Sequence, residues 1–112
     1  MREENIKTVE AYLNALKNRD LSFAPFDDDI LFDDPISERN TGAENFRAFL
    51  SGFLPAIEDI RVISHVCEGE FVVTNFEADG VFGTIQMLAK FRLRDGKITE
   101  ALNFFDPRPI LG

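Results

Sequence analysis

The chain has 112 residues and a formal net charge of −8, from 20 acidic and 12 basic side chains. That balance repels phosphate backbones and anionic membrane surfaces, which argues against nucleic acid and membranes as partners. With 45% hydrophobic residues the chain can bury one core, so a single domain over residues 1–112 is expected.

Ile6, Val9, Leu13 and Leu16 recur at spacings of three and four, predicting a first helix from about Glu3 to Asn18 with Tyr12 beside its apolar stripe. From Leu21 to Pro35 the pattern is irregular, and only Ile30 to Asp34 reads as extended. Thr41 followed by Glu44 matches a capping box, and Phe46, Phe49, Leu50, Phe53 and Leu54 form a second helical stripe that Pro55 closes. After Pro55 the period changes to two. Ile60, Val62, Ser64 and Val66 alternate with Arg61, Ile63, His65 and Cys67, and Glu68-Gly69-Glu70 turns the chain into Phe71 to Asp79. Asp79-Gly80 can begin a further turn. The run from Phe82 to Arg94 puts Ile85, Met87, Ala89, Phe91 and Leu93 on one face, and Asp95-Gly96 is a hairpin signal leading into Ile98 to Phe105. Asp106-Pro107-Arg108-Pro109 reads as a rigid tail, with Arg108 free to pair across an interface.

Helices grouped ahead of long antiparallel strands make the class α+β, with the helices covering one face of a curved sheet. The other face needs a cover if it carries apolar side chains. A homodimer is the simplest one, with Leu88, Ile63 and Phe105 as candidate contacts. Twelve phenylalanines, one tyrosine and no tryptophan suit an almost wholly apolar interior or pocket. Cys67 has no partner for a disulfide and reads as a small buried hydrophobe. The start MREENIK lacks the apolar core of a signal peptide, and no apolar run approaches the ~20 residues of a membrane span. A soluble, cytoplasmic protein is expected.

Chemistry concentrates at Asp33 and Asp34. Asp-Asp-Pro is common at strand ends for structural reasons, since Asp side chains bond nearby backbone N–H groups and Pro fixes the turn. The catalytic alternative is a general base at the mouth of an apolar pocket. Alternation separates the two residues: Asp34 shares a face with Phe32 and Ile30, while Asp33 points away with Leu31, so Asp34 is the candidate. Desolvation there would raise its pKa. Tyr12 is either a donor to a developing enolate oxygen or an amphipathic core residue with its hydroxyl at the surface. His65, the only histidine, reads as exposed or satisfied on its strand. No His, Cys or carboxylate spacing suggests a metal site and no glycine-rich phosphate loop is present, so no cofactor is expected.

In AYLNALKNRDL, ILFDDP with NTGAENFRAFL, and KFRLRDGKITEALNFFDP, the chain resembles the cone-shaped fold of nuclear transport factor 2-like proteins, ketosteroid isomerase, limonene epoxide hydrolase and polyketide-cyclase-like proteins. In the comparison with ketosteroid isomerase, the helix-one tyrosine falls at Tyr12 and the proton-shuttling aspartate at Asp34. The third position, a protonated aspartate in the oxyanion hole, falls at Ala89, which donates nothing; one lost donor of this kind costs on the order of 2.7–4 kcal/mol. The Asp, Arg, Asp triad of limonene epoxide hydrolase does not transfer, because Asn103 stands where that family has an aspartate and the stretch around Asn75 and Glu77 supplies no arginine.

The resemblance implies a pocket lined by Phe32, Phe53, Asn75, Ala89 and Asn103. Its ligand would be a small apolar or carbonyl-bearing molecule. The expected function is isomerase- or cyclase-type proton transfer by Asp34 and Tyr12. The alternative is a non-catalytic ligand-binding or dimeric interaction domain of the same fold.

Overall fold

A computed structural model describes residues 2–111. Helix α1 (Arg2–Lys17) is followed by β1 (Phe26–Asp34), β2 (Ser37–Thr41) and α2 (Ala43–Ser51). A 3-10 turn at Leu54–Ala56 leads into β3 (Ile57–Glu68), β4 (Phe71–Gly80), β5 (Gly83–Arg94) and β6 (Lys97–Phe104), and a short helix α3 (Arg108–Leu111) follows. The strands form one six-stranded sheet in the order β2-β1-β6-β5-β4-β3. Only β1 and β6 run parallel; every other neighbouring pair is antiparallel. This is the α+β class expected, with α1 and α2 packed on the concave face.

Helix α1 buries Val9, Tyr12, Leu13 and Leu16, the face that the 3.6-residue period assigns to the core. Tyr12 is as buried as its aliphatic neighbours, so its ring is not at the surface. It joins a cluster of rings centred on Phe46, whose centroid lies 4.6 Å from Phe32, 4.9 Å from Phe26 and 6.2 Å from Tyr12. Tyr12 also meets Phe91 edge-on at 5.7 Å. Arg47 stacks over Phe26 at 5.1 Å and donates to the carbonyls of Leu21 and Ala24, tying the irregular segment before β1 to α2. Offset and tilted ring pairs of this kind each add about 0.5–1.5 kcal/mol beyond area burial.

Several local expectations are corrected. Strand β1 starts at Phe26 rather than Ile30, and β2, with the sequence SERNT, has no apolar residue to announce it. Thr41 ends β2 and forms no capping box. The N-cap of α2 is Gly42, at φ 105° and with no side-chain cap; Asn45 Nδ2 instead donates to the Thr41 carbonyl. Helix α2 stops at Ser51, and Pro55 lies beyond it in the 3-10 turn. In β3 a bulge at Ile63 sets Val62 opposite Phe76 and Ser64 opposite Asn75. The extra residue reverses the alternation, so His65 and Cys67 share the inner face with Ile60. Arg108 is not free either: it pairs with Asp106 at 2.6 Å.

The β4–β5 turn falls at Val81 and Phe82, two residues on from the Asp79-Gly80 pair, with Gly80 as the last residue of β4. Gly80 is needed there for space. A Cβ on it would sit 2.3 Å from the Ala56 carbonyl oxygen and 2.6 Å from the Phe82 ring, where the end of β4 passes against the 3-10 turn. The β5–β6 hairpin uses Asp95 (φ 52°) and Gly96 (φ 74°), both in the left-handed region that a two-residue turn requires.

Candidate functional site

Successive rungs of the sheet's inner face can be read from the register. One rung holds Ile60, Ala78 and Ile85; the next holds Val62, Phe76 and Met87. The following rung holds His65, Thr74, Ala89 and Asn103, and the last Cys67, Val72, Phe91 and Ala101. Over Phe91 and Ala101 the interior is closed by the ring cluster. Over Phe76, Met87 and Asn103 it is not, and a cavity of about 70 Å³ remains.

The walls are apolar apart from three side chains. Leu16, Phe49 and Phe53 contribute from the helices, and Ile60, Phe76 and Met87 from the sheet. Phe105 and Ile110 close one end, where the chain leaves β6. The polar groups are Asp34, Tyr12 and Asn103, from the end of β1, α1 and β6. Asp33 pairs with Leu102 in the last rung of the parallel β1–β6 ladder, and the next residue of each strand, Asp34 and Asn103, lines the cavity.

Asp34 is half-buried. Its Oδ1 accepts from the Ile36 amide at 2.9 Å, closing the turn into β2 and fixing the carboxyl's orientation. Burial raises its pKa above the ordinary aspartate value; the Ile36 amide and Ser37 oppose that rise, and the nearby Asp33 adds to it. Ser37 Oγ itself is sealed off without a hydrogen-bond partner, so its pull on the carboxylate is weak. Asp33 points outward and pairs with Arg39 at 3.4 Å. The Tyr12 phenol is pushed well above its ordinary pKa, first by burial and then by the Asp34 charge. It therefore stays a neutral O–H donor at any working pH, close enough to Asp34 to feel its charge.

Among the described residues, neither the Tyr12 hydroxyl nor the Asn103 carboxamide has a hydrogen-bond partner, and neither is among the buried side-chain polar atoms left without one, which are Ser37 Oγ and His65 Nε2. Both groups thus keep their hydrogen-bonding capacity for whatever occupies the cavity.

Of the other residues expected at the pocket, Phe53 lines it. Phe32 does not, because it is committed to stacking on Phe46. Ala89 is fully buried on the rung between the closed and open halves and offers no donor. Asn75 lies opposite Leu88 on the outer face, within 3.4 Å of Gln86 Nε2. Phe105, expected on the outer face, lines the cavity instead. It shares parity with Ala101 and Asn103, and the outward residue is Phe104, exposed beside Leu88. Phe76, Phe82, Ile36 and Ile110 also line the cavity, and no motif in the sequence marks them. His65 lies away from the cavity, with Nδ1 2.7 Å from Thr74 Oγ1 and Nε2 3.5 Å from Glu10. No group of metal-ligating side chains occurs among the described residues, and none of their helices is long and apolar enough to cross a membrane.

A carboxylate made more basic by burial, a neutral phenol and an apolar enclosure are the parts needed to move a proton on carbon next to a carbonyl.

Comparison with known proteins supports the same lineage. No curated protein sequence matches at a significant level. Among solved structures, an NTF2-like protein of unknown function from Cytophaga hutchinsonii superposes with a TM-score of 0.83 at 21% identity, covering 96% of this chain and 95% of that one. An LEH-like epoxide hydrolase from M. tuberculosis gives 0.78 at 24% identity, covering 97% and 87%. A de novo designed protein with a curved β-sheet gives 0.85 at 20% identity, covering 96% and 89%. Further matches carry ketosteroid isomerase and SnoaL-like polyketide cyclase designations. At these identities the likeness establishes the NTF2-like cone fold. The SnoaL-like domain model matches residues 9–101, and the chain belongs to the SnoaL-like family.

Proposed function

We propose that this chain binds a small apolar, carbonyl-bearing or cyclic molecule in the cavity and moves a proton on it, as an isomerase or cyclase does. Asp34 is the general base and Tyr12 the donor to the oxygen that gains charge. The carboxylate takes the proton from carbon adjacent to the carbonyl, and the electron pair of that C–H bond moves into an enolate whose oxygen Tyr12 hydrogen-bonds. Returning the proton to another carbon completes an isomerisation. The observation that carries this reading is the meeting of a burial-raised carboxyl and an unpartnered neutral phenol in one apolar cavity. General-base catalysis of this kind is worth roughly 10²- to 10⁴-fold.

A second reading, a non-catalytic binding domain, is favoured by Ala89, which withholds the second oxyanion donor at its position. A panel of cyclic enones and lactones separates the two. Turnover by the wild type that is lost in Asp34→Asn, with ligand affinity unchanged, is the result expected for chemistry. Binding without turnover of any of these compounds would support the second reading and contradict the first.

The same proposal places the protein in the cytoplasm as a homodimer through the outer sheet face. Support comes from Ile63, Val66, Leu88 and Phe104, all exposed on that face. Charged side chains flank that patch in local pairs, Arg61 with Glu77 and Asp79 and Arg92 with Glu70 and Glu100.

A further inference from the structure

We infer that Asn103 is the second hydrogen-bond donor to the ligand's carbonyl oxygen, acting with Tyr12 and supplying from β6 what Ala89 on β5 cannot. The inference rests on the proton-transfer reading above and assigns the part of the site that reading leaves empty.

Three observations carry it. First, Asn103 and Ala89 are direct cross-strand partners, so the two side chains occupy neighbouring places on one rung of the inner face. A donor on either strand reaches much the same region of the cavity, since paired side chains lie about 5 Å apart. Second, Asn103 and Asp34 both line the cavity, each one position beyond Asp33 and Leu102, the last pair of the parallel ladder. The carboxylate is an acceptor only, so it attracts the amide's N–H side and repels its carbonyl oxygen. That preference turns Nδ2 toward the side of the cavity where Asp34 works. Third, no described residue hydrogen-bonds the carboxamide, yet its atoms are not sealed away. In walls otherwise built from Phe, Ile, Leu and Met, an unmatched donor is costly unless a ligand or water meets it. The site then holds two neutral donors, Tyr12 Oη–H and Asn103 Nδ2–H, beside one base. Such a set receives one oxygen with two lone pairs, as in a ketone, enone or lactone, and leaves an adjacent C–H to Asp34. An amine would place a charge in the apolar recess.

The test uses 2-cyclohexenone labelled with 13C at the carbonyl and followed by NMR in the presence of wild type, Tyr12→Phe and Asn103→Leu. Circular dichroism checks that each variant folds. Leu keeps the side chain's size without its polarity. In wild type the bound carbonyl resonance should move to higher shift, as it does when an oxygen accepts hydrogen bonds. Asn103→Leu should reduce that displacement and weaken binding about 2- to 10-fold, the scale of one neutral hydrogen bond. Tyr12→Phe should do the same, and a Tyr12→Phe, Asn103→Leu double variant should abolish the displacement. A wild-type carbonyl shift in Asn103→Leu, with the shift reduced in Tyr12→Phe, would overturn the role of Asn103 and leave the proton-transfer reading standing. An enone that does not bind wild type at all would contradict that reading and the inference with it.

Discussion

Replacing Tyr12 by phenylalanine separates what this residue does for the fold from what it does for a ligand. The ring is buried against Phe26, Phe46 and Phe91, with centroids 5.4, 6.2 and 5.7 Å away, and phenylalanine keeps all three contacts. The hydroxyl has no hydrogen-bond partner among the described residues and faces the cavity. Removing it therefore orphans no protein group, and the folding free energy should change by no more than about 0.5 kcal/mol, compared with ~1–3 kcal/mol when a buried partner is left unsatisfied. For a domain of this length that is a shift in Tm of about 3 °C or less. Catalysis should respond quite differently. A donor aimed at developing negative charge is worth about 2.7–4 kcal/mol, or 10²- to 10³-fold in kcat. The assay pairs thermal denaturation with turnover of whichever cyclic enone or lactone the wild type converts. A Tm unchanged within a few degrees and turnover at least 100-fold lower is the expected pair of results. A large loss of Tm would show that the hydroxyl is a structural partner. Unchanged turnover would remove Tyr12 from the mechanism.

Asp34→Asn should stabilise the protein at neutral pH. A carboxyl whose folded pKa lies above its value of 3.8 in the unfolded chain favours unfolding once ionised, so its penalty is absent below that value and fully present above the folded pKa. Urea denaturation of wild type and variant should therefore agree at low pH and diverge as pH rises through the carboxylate range, with the variant the more stable; the opposite order would contradict the burial argument. Phe46→Ala removes the centre of the ring cluster, and a loss of about 3–5 kcal/mol is expected, read as a fall in Tm on the order of 15 °C. Gly80→Ala forces a Cβ against the Ala56 carbonyl and should cost about 1–3 kcal/mol in chemical denaturation. Leu88→Glu places a charge in the middle of the exposed outer face; on the proposed homodimer, sedimentation should show a dimer for wild type and a monomer for the variant, and a monomeric wild type would contradict that proposal.

Where the sequence is periodic, it specifies the fold closely. The stripe of α1, the inner face Ile85-Met87-Ala89-Phe91-Leu93 and the Asp95-Gly96 hairpin all have local causes, namely apolar spacing and residues that tolerate positive φ. The misplacements have causes that local pattern does not carry. β2 is polar throughout because it is an edge strand with its side chains largely in solvent, and only pairing with β1 makes it a strand. The bulge at Ile63 comes from how β3 fits β4, and a single inserted residue turns His65 inward. Thr41 and Glu44 have the capping-box spacing, but pairing of Thr41 with Leu31 holds it in the sheet and leaves Gly42 to start α2.

The site divides in the same way. Alternation along β1 separates Asp34 from Asp33, and the same rule applied from Ala101 would have put Phe105 inside and Phe104 outside. Whether the inner face is filled is a different matter. Phe32 packs solidly on Phe46, whereas Phe53 and Phe49 border open space, and the difference depends on where α2 lies over the sheet. Periodicity fixes the side of the sheet a residue occupies, and tertiary placement decides whether anything meets it there.

The central claim is that the Asp34 carboxyl works from within an apolar recess, and its titration by 13C NMR tests this most directly. With Asp34 assigned through comparison with Asp34→Asn, its side-chain carboxyl should titrate above the ordinary aspartate value of about 3.9. A midpoint at or below that value would place the acid in water and contradict the account.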